Sequence, residues 1–177
     1  MMKFLTALTC ASLLTCGLTA QISGSINKSA PKVTNAIEMG SNKLQVDYTS
    51  IRFGDGAWQK IKDDASGHEQ FNKFAEGKPI GRVKTTCDIQ AAGKKVPAGD
   101  YAMFFTVHEQ AGWILNLKPA EGEAIRWRLV LSQADDKSGC LKISLEPAAK
   151  NDTCSLSIVF GDMQVTVPVT VVPAEKK

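Results

Sequence analysis

Tyr101-Ala102-Met103-Phe104-Phe105-Thr106-Val107 and, after a short break, Trp113-Ile114-Leu115-Asn116-Leu117 are the stretches on which the fold turns. In both, every second residue is large and apolar: Tyr101, Met103, Phe105 and Val107, then Trp113, Leu115 and Leu117. A strand repeats every two residues, so this spacing places the apolar set on one face of a sheet. The alternation continues in both directions. Towards the N-terminus it holds for Leu44, Val46 and Tyr48, and for Val83, Thr85, Cys87 and Ile89. Towards the C-terminus it holds for Ile125 to Leu131, Leu141 to Leu145, Leu156 to Phe160 and Met163 to Val171. Short strands separated by Gly-, Pro- and Asp-rich turns indicate an antiparallel sandwich or barrel. The expected fold is mainly β, an antiparallel β-sandwich of about eight strands with one amphipathic helical segment. Ala92-Gly93-Lys94 and Gly161-Asp162 are expected to turn two hairpins, and Gly99 to adopt a positive φ. Pro168 has no N–H for a ladder, which points to an edge position for the last strand.

One segment departs from this period. Between Trp58 and Phe74 the larger apolar residues are Trp58, Ile61, Ala65, Phe71 and Phe74, which is nearer helical spacing. The reading is one amphipathic helix, or two short pieces, laid over an open end or edge of the sheets. Asp55 is expected to cap its start and Gly67 to interrupt it.

The ends of the chain set its compartment. Lys3 precedes an uncharged apolar run from Phe4 to Ala20, shorter than the roughly 20 residues plus flanks of a spanning helix. Small Ala20 before Gln21 reads as a signal-peptidase site, so residues 1–20 are expected to be a signal peptide. Leu13-Leu14-Thr15-Cys16-Gly17 approaches a lipobox, with Thr15 where Gly, Ala or Ser is usual, so anchoring through Cys16 is the alternative. Residues 21–32 read as a flexible leader, 33–172 as a single β-sandwich domain and 173–177 as a tail. Removing residues 1–20 from the 177 takes only Lys3 from the 21 Lys and Arg, which leaves 20 against 18 acidic residues. That near-neutral, interspersed balance has no basic stripe beyond Lys94-Lys95, so nucleic acid is not an expected partner. No membrane span is expected after cleavage. The expected location is extracytoplasmic, periplasmic or secreted.

The run Ala92-Gly93-Lys94-Lys95-Val96-Pro97-Ala98-Gly99-Asp100-Tyr101, followed by an apolar strand and then Trp113-Ile114-Leu115-Asn116, resembles a bacterial exported family known only as domain of unknown function 2911. That family carries N-G-K-x-L-P-A-G-x-Y-x-L-F before a W-x-I-I-F-N strand. Leu44 to Ser50, Leu141 to Pro147 and Phe160 to Val169 resemble its early I-x-I-D-Y-S strand, its V-x-V-K-P segment and its closing V-x-V-P-V hairpin. The resemblance covers most of Val33 to Val171. Tyr48-Thr49-Ser50 continues to Ile51-Arg52-Phe53-Gly54 without the family's R-P, and its W-R-x-G-A-N-E-A signature has no counterpart between Phe71 and Thr86. The resemblance therefore implies export and a β domain, and carries over no functional residue.

No catalytic or metal-binding constellation stands out. The two histidines, His68 and His108, lack zinc-site spacing, and there is no C-x-x-C, G-x-S-x-G or phosphate-binding glycine loop in the mature chain. His68 is expected to be exposed in the helical segment and His108 to end a strand. Asp63-Asp64 and Asp135-Asp136 read as solvated faces or turns. Parity with leucines places Trp113 and Trp127 in the core, whereas Phe53 and Trp58, outside the regular strands, are the candidate ligand-facing aromatics. Cys87, Cys140 and Cys154 remain after signal cleavage. Cys140–Cys154 is the candidate disulfide, with strand parity against it and three free thiols as the alternative. No metal and no cofactor are expected. The functional expectation is a non-catalytic binding or accessory module of the cell envelope, with an envelope ligand or protein as partner. The alternatives are a hydrolase acting on an envelope or secreted substrate, and a structural envelope protein docking through the helical segment.

Overall fold

The computed structural model describes residues 29–52, 61 and 63–173. Two antiparallel sheets pack face to face. The larger holds β1 (Lys32–Met39), β2 (Asn42–Thr49), β3 (Gly81–Thr85), β6 (Gly99–His108), β7 (Gly112–Lys118) and β8 (Ile125–Arg128), in that spatial order. The smaller has the order β5 (Lys94–Val96), β4 (Ile89–Ala91), β10 (Thr153–Val171), β9 (Ser132–Pro147). The inward faces are those the alternation marked. Leu115, Leu117, Val46, Trp127, Ile143 and Ile158 are all fully buried, and burial of such side chains supplies most of the drive to fold.

The strand count rises from eight to ten for local reasons. β1 falls where the leader was expected to end. Its inward face, Val33, Asn35, Ile37 and Met39, is interrupted by a polar residue, so its alternation is weak. The run from Val83 to Ile89 is two strands, because Thr86-Cys87-Asp88 carries the chain from the larger sheet to the smaller. Ala92-Gly93 does turn the β4–β5 hairpin, and both residues have positive φ, 49° and 72°, the geometry of a tight turn that matches strand twist.

Three other expectations fail. Gly161-Asp162 turns no hairpin. β10 runs through it, and Gly161, at φ 61°, sits at a register shift against β9, which is how a bulge absorbs an extra residue. β10 is an interior strand. Pro168 is tolerated because pairing to β9 ends at Gln164 and pairing to β4 begins at Val169. Gly99 is not among the positive-φ residues; it pairs with Thr85, and the turn before it is held by the Tyr101 hydroxyl, which donates to Pro97 O at 2.7 Å.

The edge of β9 is closed by the other sheet and by residues just beyond β2. Asn35 Nδ2 donates to Ile143 O, the Tyr48 hydroxyl accepts from Ile143 N, Ser50 Oγ donates to Leu141 O, and Leu141 N donates to Ile51 O. These groups would otherwise be an open ladder.

Helix α1 (Ala65–Gly77) passes through Gly67 without a break. Residues 53–60, and with them Trp58 and the Asp55 cap, lie outside the described residues. The helix lies where β3 stops covering β6. β3 pairs with Gly99 to Met103 only, so the edge of β6 beyond that point is open. There Asn72 acts as a strand would: Nδ2 donates to Val107 O at 2.9 Å and Oδ1 accepts Val107 N–H at 2.8 Å. Phe71 meets Trp113 edge-on, with centroids 5.6 Å apart. Asn72→Leu strands both groups of Val107, and an unmet buried hydrogen-bonding group costs about 1–3 kcal/mol. Chemical denaturation should show a loss of that size, and amide exchange at Val107 should accelerate.

Candidate functional site

Outward of β6 and β7 the sheet is not simply solvated. Phe104 and Thr106, opposite in parity to the core residues of β6, are buried, and so is Asn116 on β7. They form the floor of a groove of about 1000 Å³. One wall is the face of α1 that carries Glu69, Lys73 and Glu76; facing it are the 119–124 loop, Arg126 of β8 and the β5 lysines Lys94 and Lys95.

The floor has a defined hydrogen-bond direction. Asn116 is 3% exposed. Its Nδ2 donates to Thr106 Oγ1 at 2.9 Å and is flanked by the carbonyls of Phe104 and Ile114 at 3.4 and 3.3 Å. Two carbonyls on that side require a donor, so the amide cannot be turned over. Its oxygen accepts no hydrogen bond among the described residues, and the residue lines the groove. Thr106 Oγ1, accepting from Asn116, also lies within hydrogen-bond reach of His108 Nε2, 3.3 Å away.

The charges are largely matched in pairs. Lys73 bonds Glu69 at 2.7 Å, Lys118 bonds Glu76, and Lys95 bonds Asp88 at 2.8 Å. Hydrogen bonds from Lys73 and Lys118 hold Glu69 and Glu76 below the usual carboxylate range. Asp88 is held low by Lys95 and by the Ala98 amide. Arg126 and Lys94 make no ion pair among the described residues.

The residues singled out from sequence have different fates. Phe53 and Trp58 lie outside the described residues, as does Cys16. Trp113 and Trp127 are core residues. His68 is buried against the sheet, at 8% exposure, because it lies on the inner side of the helix; His108 ends β6 and lines the groove. Asp135 and Asp136 are exposed within β9, on a solvated face as expected rather than in a turn. Among the described residues, no three His, Cys, Asp or Glu side chains gather as a metal site. The groove itself was missed because Thr106 and Asn116 read as the polar face of two strands. The one available signal was Phe104, an aromatic on that polar face.

Among the described residues Cys87, Cys140 and Cys154 are all free thiols, in place of the candidate bridge. Cys154 pairs with Pro147, seven residues along β9 from Cys140, a separation of about 20 Å at 3.3 Å per residue, whereas a disulfide needs Cα atoms roughly 4.4–6.8 Å apart. Burial pushes the Cys154 thiol up to about 11, which keeps it unreactive. Protein freed of residues 1–20, denatured and unreduced, should titrate three thiols with a thiol-reactive dye; in its native state it should hold Cys154 back.

Compared with known proteins, the chain matches no family model, and no curated protein or solved structure is similar to it.

Proposed function

We propose that this chain is the precursor of an exported, non-catalytic binding module, and that the groove between α1 and the 119–124 loop takes its ligand. The observation that carries the reading is Asn116. Its donor side is consumed by Thr106 and two carbonyls, while its acceptor oxygen has no partner among the described residues in a side chain that lines the groove. A polar group so placed recognises a ligand through a directed hydrogen bond. Export is supported by the uncharged run to Ala20 and by the resemblance to domain of unknown function 2911.

The groove chemistry favours binding over hydrolysis. A general acid needs a raised pKa, and Glu69 and Glu76 are held low by the lysines bonded to them. Docking through the helix is less well supported. A docking surface presents contiguous apolar area, whereas Val130, at 77% exposure, is the one large exposed hydrophobic among the described residues.

Mass spectrometry of the exported protein should find Gln21 as its first residue; an intact Met1, or a lipid on Cys16, overturns the soluble exported form. For the groove, isotope-labelled protein is titrated with a panel of neutral sugars, acidic sugars, amino acids, short peptides and inorganic phosphate. At least one should shift the amide resonances of Thr106, His108 and Asn116 together. A panel that leaves all three unmoved removes the binding reading.

A further inference from the structure

We infer that the ligand of this groove is a carboxylated sugar, with its acid group held by Arg126 and an adjacent hydroxyl donating to Asn116 Oδ1. The inference rests on the binding reading above. Its geometry comes from strand register. Phe104 pairs with Asn116, and Asn116 pairs with Arg126, so the three form one row across β6, β7 and β8. Directly paired residues point to the same side of a sheet. The row therefore places, one interstrand step apart, a largely buried aromatic ring, a neutral amide and a cationic donor.

Charge narrows the ligand. Lys73, Lys118 and Lys95 are engaged by Glu69, Glu76 and Asp88. Arg126 and Lys94 remain as the cations of the lining without an ion pair among the described residues, Arg126 adding only weakly to the hold of Lys118 on Glu76, with Glu123 on the 119–124 loop beside them. A ligand with one negative charge per unit suits that balance. The planar guanidinium of Arg126 matches a carboxylate through two parallel hydrogen bonds. The remainder of the ligand is set by the walls. Thr106, His108 and Asn116 offer donors and acceptors to ring hydroxyls, whereas apolar lining is limited to Phe104, Ala124 and Ile125. Phe104 is itself only 4% exposed. A peptide would need apolar pockets for its side chains that this groove does not supply.

The test is calorimetry at low ionic strength on the purified protein. The probes are a galacturonate trimer, a glucuronate oligomer, the fully methyl-esterified galacturonate trimer and a short peptide with a free carboxylate. At least one of the two acidic oligomers should bind, and the ester should bind at least roughly tenfold more weakly than its acid, as expected for loss of a charge-assisted hydrogen bond. Arg126→Gln should erase the difference between acid and ester, and Arg126→Lys should restore part of it. Arg126 is exposed, so these variants should keep the parent's thermal midpoint. Equal binding of acid and ester in the parent, an unaltered preference in Arg126→Gln, or tighter binding of the peptide each overturns the acidic-sugar assignment. Each of these leaves the binding reading standing if the amides of Thr106, His108 and Asn116 still respond. If no probe and no member of the wider panel moves those amides, both readings fall together.

Discussion

The N–H and C=O of Val107 stand where β3 has run out and no neighbouring strand continues the ladder. Left open inside a packed protein, such groups cost more than most side-chain contacts gain. The carboxamide of Asn72 meets both of them. This fixes where α1 lies, and α1 in turn makes one wall of the groove and buries Phe104 and Thr106 on what would otherwise be a solvated face. The helix is thus held chiefly by the need of a strand edge for a partner, reinforced by Phe71 against Trp113.

The same constraint governs the opposite side of the sandwich. β9 is an edge strand of the smaller sheet, and its outward-facing groups at Leu141 and Ile143 are satisfied by Asn35 and Tyr48 of the larger sheet and by Ser50 and Ile51 just beyond β2. The polar interruption of β1 at Asn35 has its reason here, because an apolar residue in that position would leave Ile143 O without its donor. Polar residues on inward faces therefore join the two sheets, and the fold sits between an open sandwich and a barrel.

The groove inherits its chemistry from this arrangement. Because Asn116 spends its donors on Thr106 and on the strand itself, the groove is lined by an amide of fixed orientation. The ion pairs along the rim neutralise most of its charge. Arg126, on edge strand β8, stays available one register step away. In the binding role proposed above, a rigid sheet surface with a preset amide and a nearby guanidinium would lower the ordering cost of binding.

Alternation at Tyr101 to Val107, Trp113 to Leu117 and Leu141 to Leu145 was enough to determine the β class and the inward residues, because the two-residue period is a local property of the strand. The helical character of the segment ending at Phe74 was legible for the same reason, as was the tight turn at Ala92-Gly93. Pairing was not legible. Whether Cys87 continues a strand or crosses between sheets depends on residues far away, as does the question of whether Gly161 turns the chain or bulges it. The row Phe104, Asn116 and Arg126 depends on register as well, and register is a relation between strands distant in sequence. Asn72, Thr106 and Asn116 look like ordinary polar residues in the linear chain. Only the tertiary structure set one against an open strand edge and another in the lining of a groove, because a hydrogen bond's worth depends on what its partner would otherwise lack.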